Sequence, residues 1–268
     1  MKLKRRVLLH NNNLDQIARE VVITTLEPGT TRMNVTAADT GAWGQRITGR
    51  HWGVLEARVS YAIDVHTNNM QRRREVFDAV NAWAIKKGWL EFVSEAPGRR
   101  IYVDEVELPS PGDLWDWTAN YTIVFRAYNV PFWQDMDAQT ITKKKFANGK
   151  EDSLTMEIGG TAPSVIDLSF KNVSGKTITN FQVKVGTQTL KLTNVKLEKD
   201  ETLNMTHTAA GILMITADAM RSGKAVSRSV YGLLTGDDDM IVEPGKVLIK
   251  VNATRAGDLT VSNKARWL

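Results

Sequence analysis

A chain of 268 residues, 42% of them hydrophobic, is long enough for two cores, since single cores stop growing at about 250–300 residues. It has no cysteine, which excludes a disulfide framework, a thiol nucleophile and sulfur-ligated zinc. The net charge of +5 does not by itself point to nucleic acid: residues 1–137 carry 17 basic and 17 acidic side chains, and the excess, 18 against 13, is spread along 138–268 and not gathered on one face.

Residues 1–16 begin basic, but their apolar run, Val7–Leu9, falls far short of a signal-peptide core, and no later segment approaches membrane-spanning length. A soluble protein made in the cytosol is expected, with no membrane partner. Period-two alternation then dominates. Leu55, Ala57, Val59, Tyr61, Ile63 and Val65 share one face, with Glu56, Arg58, Ser60 and Asp64 on the other, which predicts a long half-buried strand over 55–65. Shorter strands are expected at 19–25, 31–36, 90–93, 101–108 and 121–128, separated by the turns Pro28-Gly29, Pro97-Gly98 and Pro111-Gly112.

One segment breaks this rhythm. Residues 69–87 combine an Asn69 cap, apolar positions at Val76, Phe77, Val80, Trp83 and Ala84, two closing lysines and the stop Gly88, the pattern of an amphipathic helix. Arg72, Arg73 and Arg74 lie in its first turn, where the helix dipole opposes positive charge. That asks for a compensating partner, either an intramolecular acid such as Asp104 or Glu105 or a second subunit; a solvated basic face is the remaining reading. Further on, Trp115 and Trp117 sit two apart in a loop introduced by proline and glycine. Exposed, they would present apolar area needing cover, from a sugar, a neighbouring subunit or the protein's own core.

Composition changes near residue 138. The first 137 residues hold seven of the eight tryptophans and 13 Arg against 4 Lys; the rest holds 14 Lys against 4 Arg. Trp and Arg are enriched at the energetic centres of protein contacts, so the first half reads as the part that assembles. The domains are expected at 1–140 and 150–268, with 141–149, containing Lys143, Lys144 and Lys145, as linker. After it come many short alternating runs with turn signals every 8–12 residues or so, the cadence of an antiparallel β-sandwich.

Catalytic chemistry finds no anchor. His10, His51, His66 and His207 are scattered, with no ligand spacing among them, and no nucleophile elbow or phosphate-cradling glycine loop occurs. Asp237, Asp238 and Asp239 concentrate carboxylates but lack the spaced oxygens of a calcium loop, so a solvated hairpin tip is the plainer reading. No enzyme activity, cofactor or metal is expected. Carbohydrate binding is the alternative function, although between Ser153 and Arg266 the large aromatics are Phe170, Phe181 and Tyr231, with no tryptophan.

The ordered set of a long strand over 55–65, an Arg-rich helix with late Trp83, Leu90 and Phe92, Pro97-Gly98-Arg99 with Tyr102, Leu114 with Trp115 and Trp117, Tyr121 to Phe125, and Pro131 with Trp133 resembles the distal tail protein (Dit) family of siphophages and prophages. The second half is similar to that family's galectin-like domain through Gly160, Ala162 and Pro163, Asn172 to Gly175, Pro244-Gly245 and the terminal Ala265 to Leu268. The resemblance implies a mainly β protein: a β-barrel-like first domain with one helix, and a galectin-like β-sandwich. It also implies a hexameric ring in the virion tail tip that passes DNA through its bore without reading its sequence. The implied partners are further copies of the chain, the tail tube protein, the tail tip or tail-associated lysin hub protein, and receptor-binding proteins. Arg72, Arg73, Arg74, Trp115 and Trp117 are the candidate interface residues.

Overall fold

The computed structural model describes residues 5–39, 45–65, 69–112 and 120–268. The chain is mainly β, with a single α-helix among the described residues, and divides into two units: Met1–Met136 with the carboxy-terminal Leu268, and Asp137–Trp267.

In the first unit the predicted long strand forms as Leu55–Ile63, within an antiparallel sheet ordered Val21–Glu27, Leu55–Ile63, Tyr121–Ala127, Glu105–Glu107. Its alternation works as expected: Leu55, Ala57, Val59, Tyr61 and Ile63 are buried, while Arg58 faces water. The helix Met70–Ala84 buries Val76, Phe77, Val80, Trp83 and Ala84. Its apolar stripe meets the apolar side of the sheet, Phe77 against Tyr121 at 5.1 Å between ring centroids and Trp83 against Phe125 at 6.1 Å. Asn69 caps the helix by accepting the Arg72 backbone N–H at 2.9 Å. Lys87 and Gly88 then take positive φ and end it. Gly88, at φ +112°, would be strained with any side chain, and a Cβ there would lie 2.0 Å from the His10 ring and displace it.

A second sheet contains, in order, Asn12–Asn13, Val7–Leu9, Gly88–Phe92, Arg99–Val103 and Trp133–Asp135. The amino-terminal residues, which show no strand period, thus form its edge hairpin. The strand expected over 101–108 is two strands in two sheets, Arg99–Val103 and Glu105–Glu107. Asp104 stands at the switch, its carboxylate accepting the backbone N–H groups of Tyr128 at 2.7 Å and Asn129 at 3.0 Å. Among the described residues neither sheet closes on itself, so the expected barrel-like closure does not occur.

The second unit is an antiparallel sandwich. One sheet runs Gln139–Phe146, Gly257–Asn263, Ser164–Asn172, Thr202–His207, Leu213–Arg221, Lys224–Ser229, with Ile241–Val242 also on Ser164–Asn172; the other runs Glu151–Ile158, Gly245–Ala253, Ile178–Val185, Gln188–Leu197, Leu234–Gly236. Alternate residues of both sheets fill a common core in which Phe170 and Phe181 meet at 5.0 Å. Burying one such phenylalanine contributes about 1.5–3 kcal/mol.

The boundary differs from the expected one. Most of 141–149 is not linker, because Gln139–Phe146 is an edge strand paired with Gly257–Asn263. Lysines are common on edge strands, where they discourage further pairing, so a lysine run there looks like a spacer in sequence. The motifs at the two ends of the lobe meet in space: the Thr161 and Ala162 N–H groups donate to the Arg266 carbonyl at 2.9 and 3.1 Å. A Cβ on Gly160 would lie 2.1 Å from that oxygen.

Candidate assembly interface

Three consecutive helical residues point about 100° apart, and the arginine cluster separates accordingly. Arg72 donates from Nε and Nη2 to the two carboxylate oxygens of Glu20 at 3.1 and 3.2 Å, and from Nη1 to Glu75 at 3.3 Å. Glu20 lies 52 positions away in sequence, and it is the intramolecular acid in place of Asp104 or Glu105. Burial pushes the Glu20 carboxyl up, but hydrogen bonds from its own backbone N–H and from Arg72, with the charges of Arg72 and Arg19, hold it below the ordinary value. The same hydrogen bond raises Arg72. Arg73 is only 4% exposed and points into the unit. Arg74 reaches solvent and pairs with Asp78 one turn on, Nε to carboxylate at 3.3 Å. Of the three, Arg72 and Arg73 act within the unit, and Arg74 is the one directed outward.

Trp115 and Trp117 lie outside the described residues. Other tryptophans of the first unit serve its interior. Trp83 is buried and donates Nε1–H to the Asn12 carbonyl at 3.0 Å; Trp133 is buried and donates to the Pro28 carbonyl at 3.2 Å. Trp89 carries the Arg100 guanidinium 4.1 Å over its ring. Arg126 likewise binds Glu56, Glu105 and Glu107 on the outer side of the first sheet, with Nε to Glu56 at 2.8 Å. Much of the Arg and Trp enrichment is therefore internal wiring.

The surface that lacks such wiring is a hairpin. Met33–Asp39 and Gln45–Trp52 pair with each other and, among the described residues, with no other strand. The register sets Met33 opposite Trp52, Val35 opposite Arg50 and Ala37 opposite Ile47, so these residues share one side, the bulge after Thr36 keeping Ile47 in line. Trp52 anchors the base edge-on against Phe132 at 5.1 Å, and Gly53 closes it through its N–H to the Arg32 carbonyl at 2.8 Å. Beyond that anchor the apolar stripe is bare: Met33, Val35 and Ile47 are 45%, 53% and 48% exposed. An isolated two-stranded ribbon is marginal in water, which makes this stripe a candidate contact surface. The expected strand over 31–36 captured the first arm. The second escaped because Gly49 and the bulge interrupt its alternation.

Comparison with solved structures matches this architecture along its length. The crystal structure of the phage SPP1 Dit (gp 19.1) protein, described as a paradigm of the hub adsorption apparatus in phages infecting Gram-positive bacteria, superposes with a TM-score of 0.65 at 14% identity, covering 98% of this chain and 99% of that one. The fold is a Dit fold. A chain of the phage P2 baseplate in its activated conformation with Ca matches with a TM-score of 0.52 at 9% identity, over 98% of both chains. No family sequence model and no curated protein sequence matches.

Within this Dit-like fold, no cluster of three or more His, Cys, Asp or Glu among the described residues could hold a metal ion. The three aspartates are not a bare hairpin tip. Asp237 accepts the Thr189 N–H at 2.5 Å, and Asp239 accepts the Met240 N–H at 2.7 Å and contacts His207 Nε2 at 2.8 Å. The other ring nitrogen of His207 is 2.8 Å from Asp167, so this buried histidine ties a strand to the aspartate loop. No helix among the described residues is long and apolar enough to cross a membrane.

Proposed function

We propose that the protein is a non-enzymatic structural subunit of a phage tail tip, a distal tail protein that closes into a hexameric ring between tail tube and baseplate. The observation that carries this reading is the free hairpin with its bare stripe of Met33, Val35 and Ile47 on a chain whose fold matches a Dit protein end to end. Ring closure repeats one heterologous contact around an axis, so each subunit must present two different complementary patches. The hairpin is one such patch. A first unit with balanced charge suits a bore that lets DNA pass without holding its phosphates. The partners are further copies of the chain, the tail tube protein and the tail tip or tail-associated lysin hub protein, with receptor-binding proteins docking on the outer lobes. Arg74, Trp115 and Trp117 remain candidate contacts.

Light scattering and negative-stain images of the purified protein, alone and with tube or tip components, test the reading. A ring is expected, and Val35→Asp with Ile47→Asp is expected to leave a folded protomer that no longer assembles. A protomer that stays single under every condition would end the proposal.

A further inference from the structure

The hairpin supplies one of the two patches that a ring contact needs, and a receiving patch on the same chain has to complement it in charge as well as in apolar character. Its exposed stripe contains one cation. Arg50 stands directly opposite Val35 and so shares the side of Met33 and Ile47. Arg50 is exposed, and among the described residues it has no carboxylate partner. Water satisfies it in the protomer; under a covering surface it would need an acid within reach.

A carboxylate in the converse situation lies on the second sheet of the same unit. There Val7, Leu9, Leu90, Phe92, Ile101 and Val103 are buried toward the core, so by alternation Leu8, Trp89, Glu91, Arg100 and Tyr102 occupy the other side. Glu91 belongs to a strand in the interior of that sheet and is only 9% exposed, which denies it the full hydration of a surface glutamate. It has no hydrogen bond or ion pair with any described residue. Arg100, next along from the Leu90–Ile101 pair, is the cation that register brings beside it. The Arg100 guanidinium instead lies 4.1 Å over the Trp89 ring, and its Nε has no hydrogen-bond partner.

The surroundings of Glu91 are apolar. Leu8 pairs with it directly and is half-buried, Trp89 meets Tyr102 edge-on at 5.3 Å, and Val93 is 40% exposed. One acid is thus set among apolar and aromatic side chains, as one base is set among apolar side chains on the hairpin. The first sheet offers carboxylates too, but Glu56, Glu105 and Glu107 are already taken by Arg126.

We infer that the hairpin of one copy seats on this side of the second sheet of the next copy, with Arg50 paired to Glu91 and the Met33, Val35 and Ile47 stripe against Leu8, Trp89 and Val93. This rests on the ring reading above and names the receiving half of its contact. The two patches differ, so every copy gives one hairpin and takes one.

Charge reversal in the full chain, followed by light scattering and negative-stain images, provides the test. Arg50→Glu and Glu91→Lys are each expected to raise the concentration needed for ring formation about tenfold or more, because like charges then meet at every contact. An equal mixture of the two variants is expected to form rings again, since alternating subunits put opposite charges at every contact; both changes in one chain should restore rings as well. Circular dichroism melting checks that each variant is folded. Should Glu91→Lys unfold, Glu91→Gln and Arg50→Gln take the place of the reversals, and their separate losses should not add when the two are combined. Rings that persist unchanged in either reversed variant, a mixture that fails to recover, or additive losses in the glutamine pair overturn the inference and leave the ring reading standing. A wild-type chain that never assembles ends both.

Discussion

Two hairpins of similar length have opposite fates. The hairpin Ile178–Val185 and Gln188–Leu197 puts Ile178, Phe181, Val183, Val185, Leu190, Leu192, Val195 and Leu197 into the sandwich core, all no more than 1% exposed. The hairpin Met33–Asp39 and Gln45–Trp52 carries a smaller apolar stripe, and beyond Trp52 its Met33, Val35 and Ile47 are exposed. The first is flanked by further strands on both sides and faces a second sheet, whereas the second, among the described residues, has neither. The first is held by its own unit, and the second is the one the proposed ring would cover with another copy.

The contrast can be tested by side-chain removal. Phe181→Ala should destabilise the sandwich by about 3–5 kcal/mol in denaturant unfolding, the combined loss of burial and creation of a cavity. A loss near zero would mean that the two hairpins are not energetically different.

A smaller effect is expected at Glu201, a buried carboxylate that Arg221 and Arg228 reach at 2.8 and 3.3 Å and that accepts the Glu198 N–H at 3.0 Å. Burial, the largest influence, pushes its pKa up, but the Glu198 N–H and the two guanidinium groups together hold it below the ordinary carboxylate value. A depressed pKa contributes stability above the unfolded-state pKa that is lost as pH falls through the folded one. Glu201→Gln should therefore cost about 1–2 kcal/mol at neutral pH and flatten the acid side of the stability curve. An equally steep acid limb in the variant would assign that loss to other carboxylates.

Smallest is Val35→Ala, expected to change protomer stability by less than about 0.5 kcal/mol, as for exposed sites in general. A loss above 2 kcal/mol would show that the stripe is already covered within the protomer.

The elements that were legible share one property: their burial partner lies on a regular period. The strand Leu55–Ile63 and the helix Met70–Ala84 announce themselves by alternation and by the Asn69 and Gly88 signals. What was not legible depends on remote partners. Glu20 fixes Arg72 from 52 positions away, Asn12 takes the Trp83 N–H from 71, and Asp258 holds Lys144 at 2.8 Å from 114, so the lysine run reads as a spacer until its strand is seen. Consecutive arginines look like one patch in sequence, yet a helix sends them in different directions. The hairpin stripe has a third kind of difficulty: Val35 lies in a legible strand, but the bulge hides the strand of Ile47, and only the fold shows that both are exposed.

Both outer borders of the seven-stranded sheet end in cations, Lys143, Lys144 and Lys145 on one side and Lys224 and Arg228 on the other. Mutual repulsion between these borders would keep lobes from zipping into fibrils. If the proposed ring forms, contacts between copies would then be left to the exposed ribbon of the first unit.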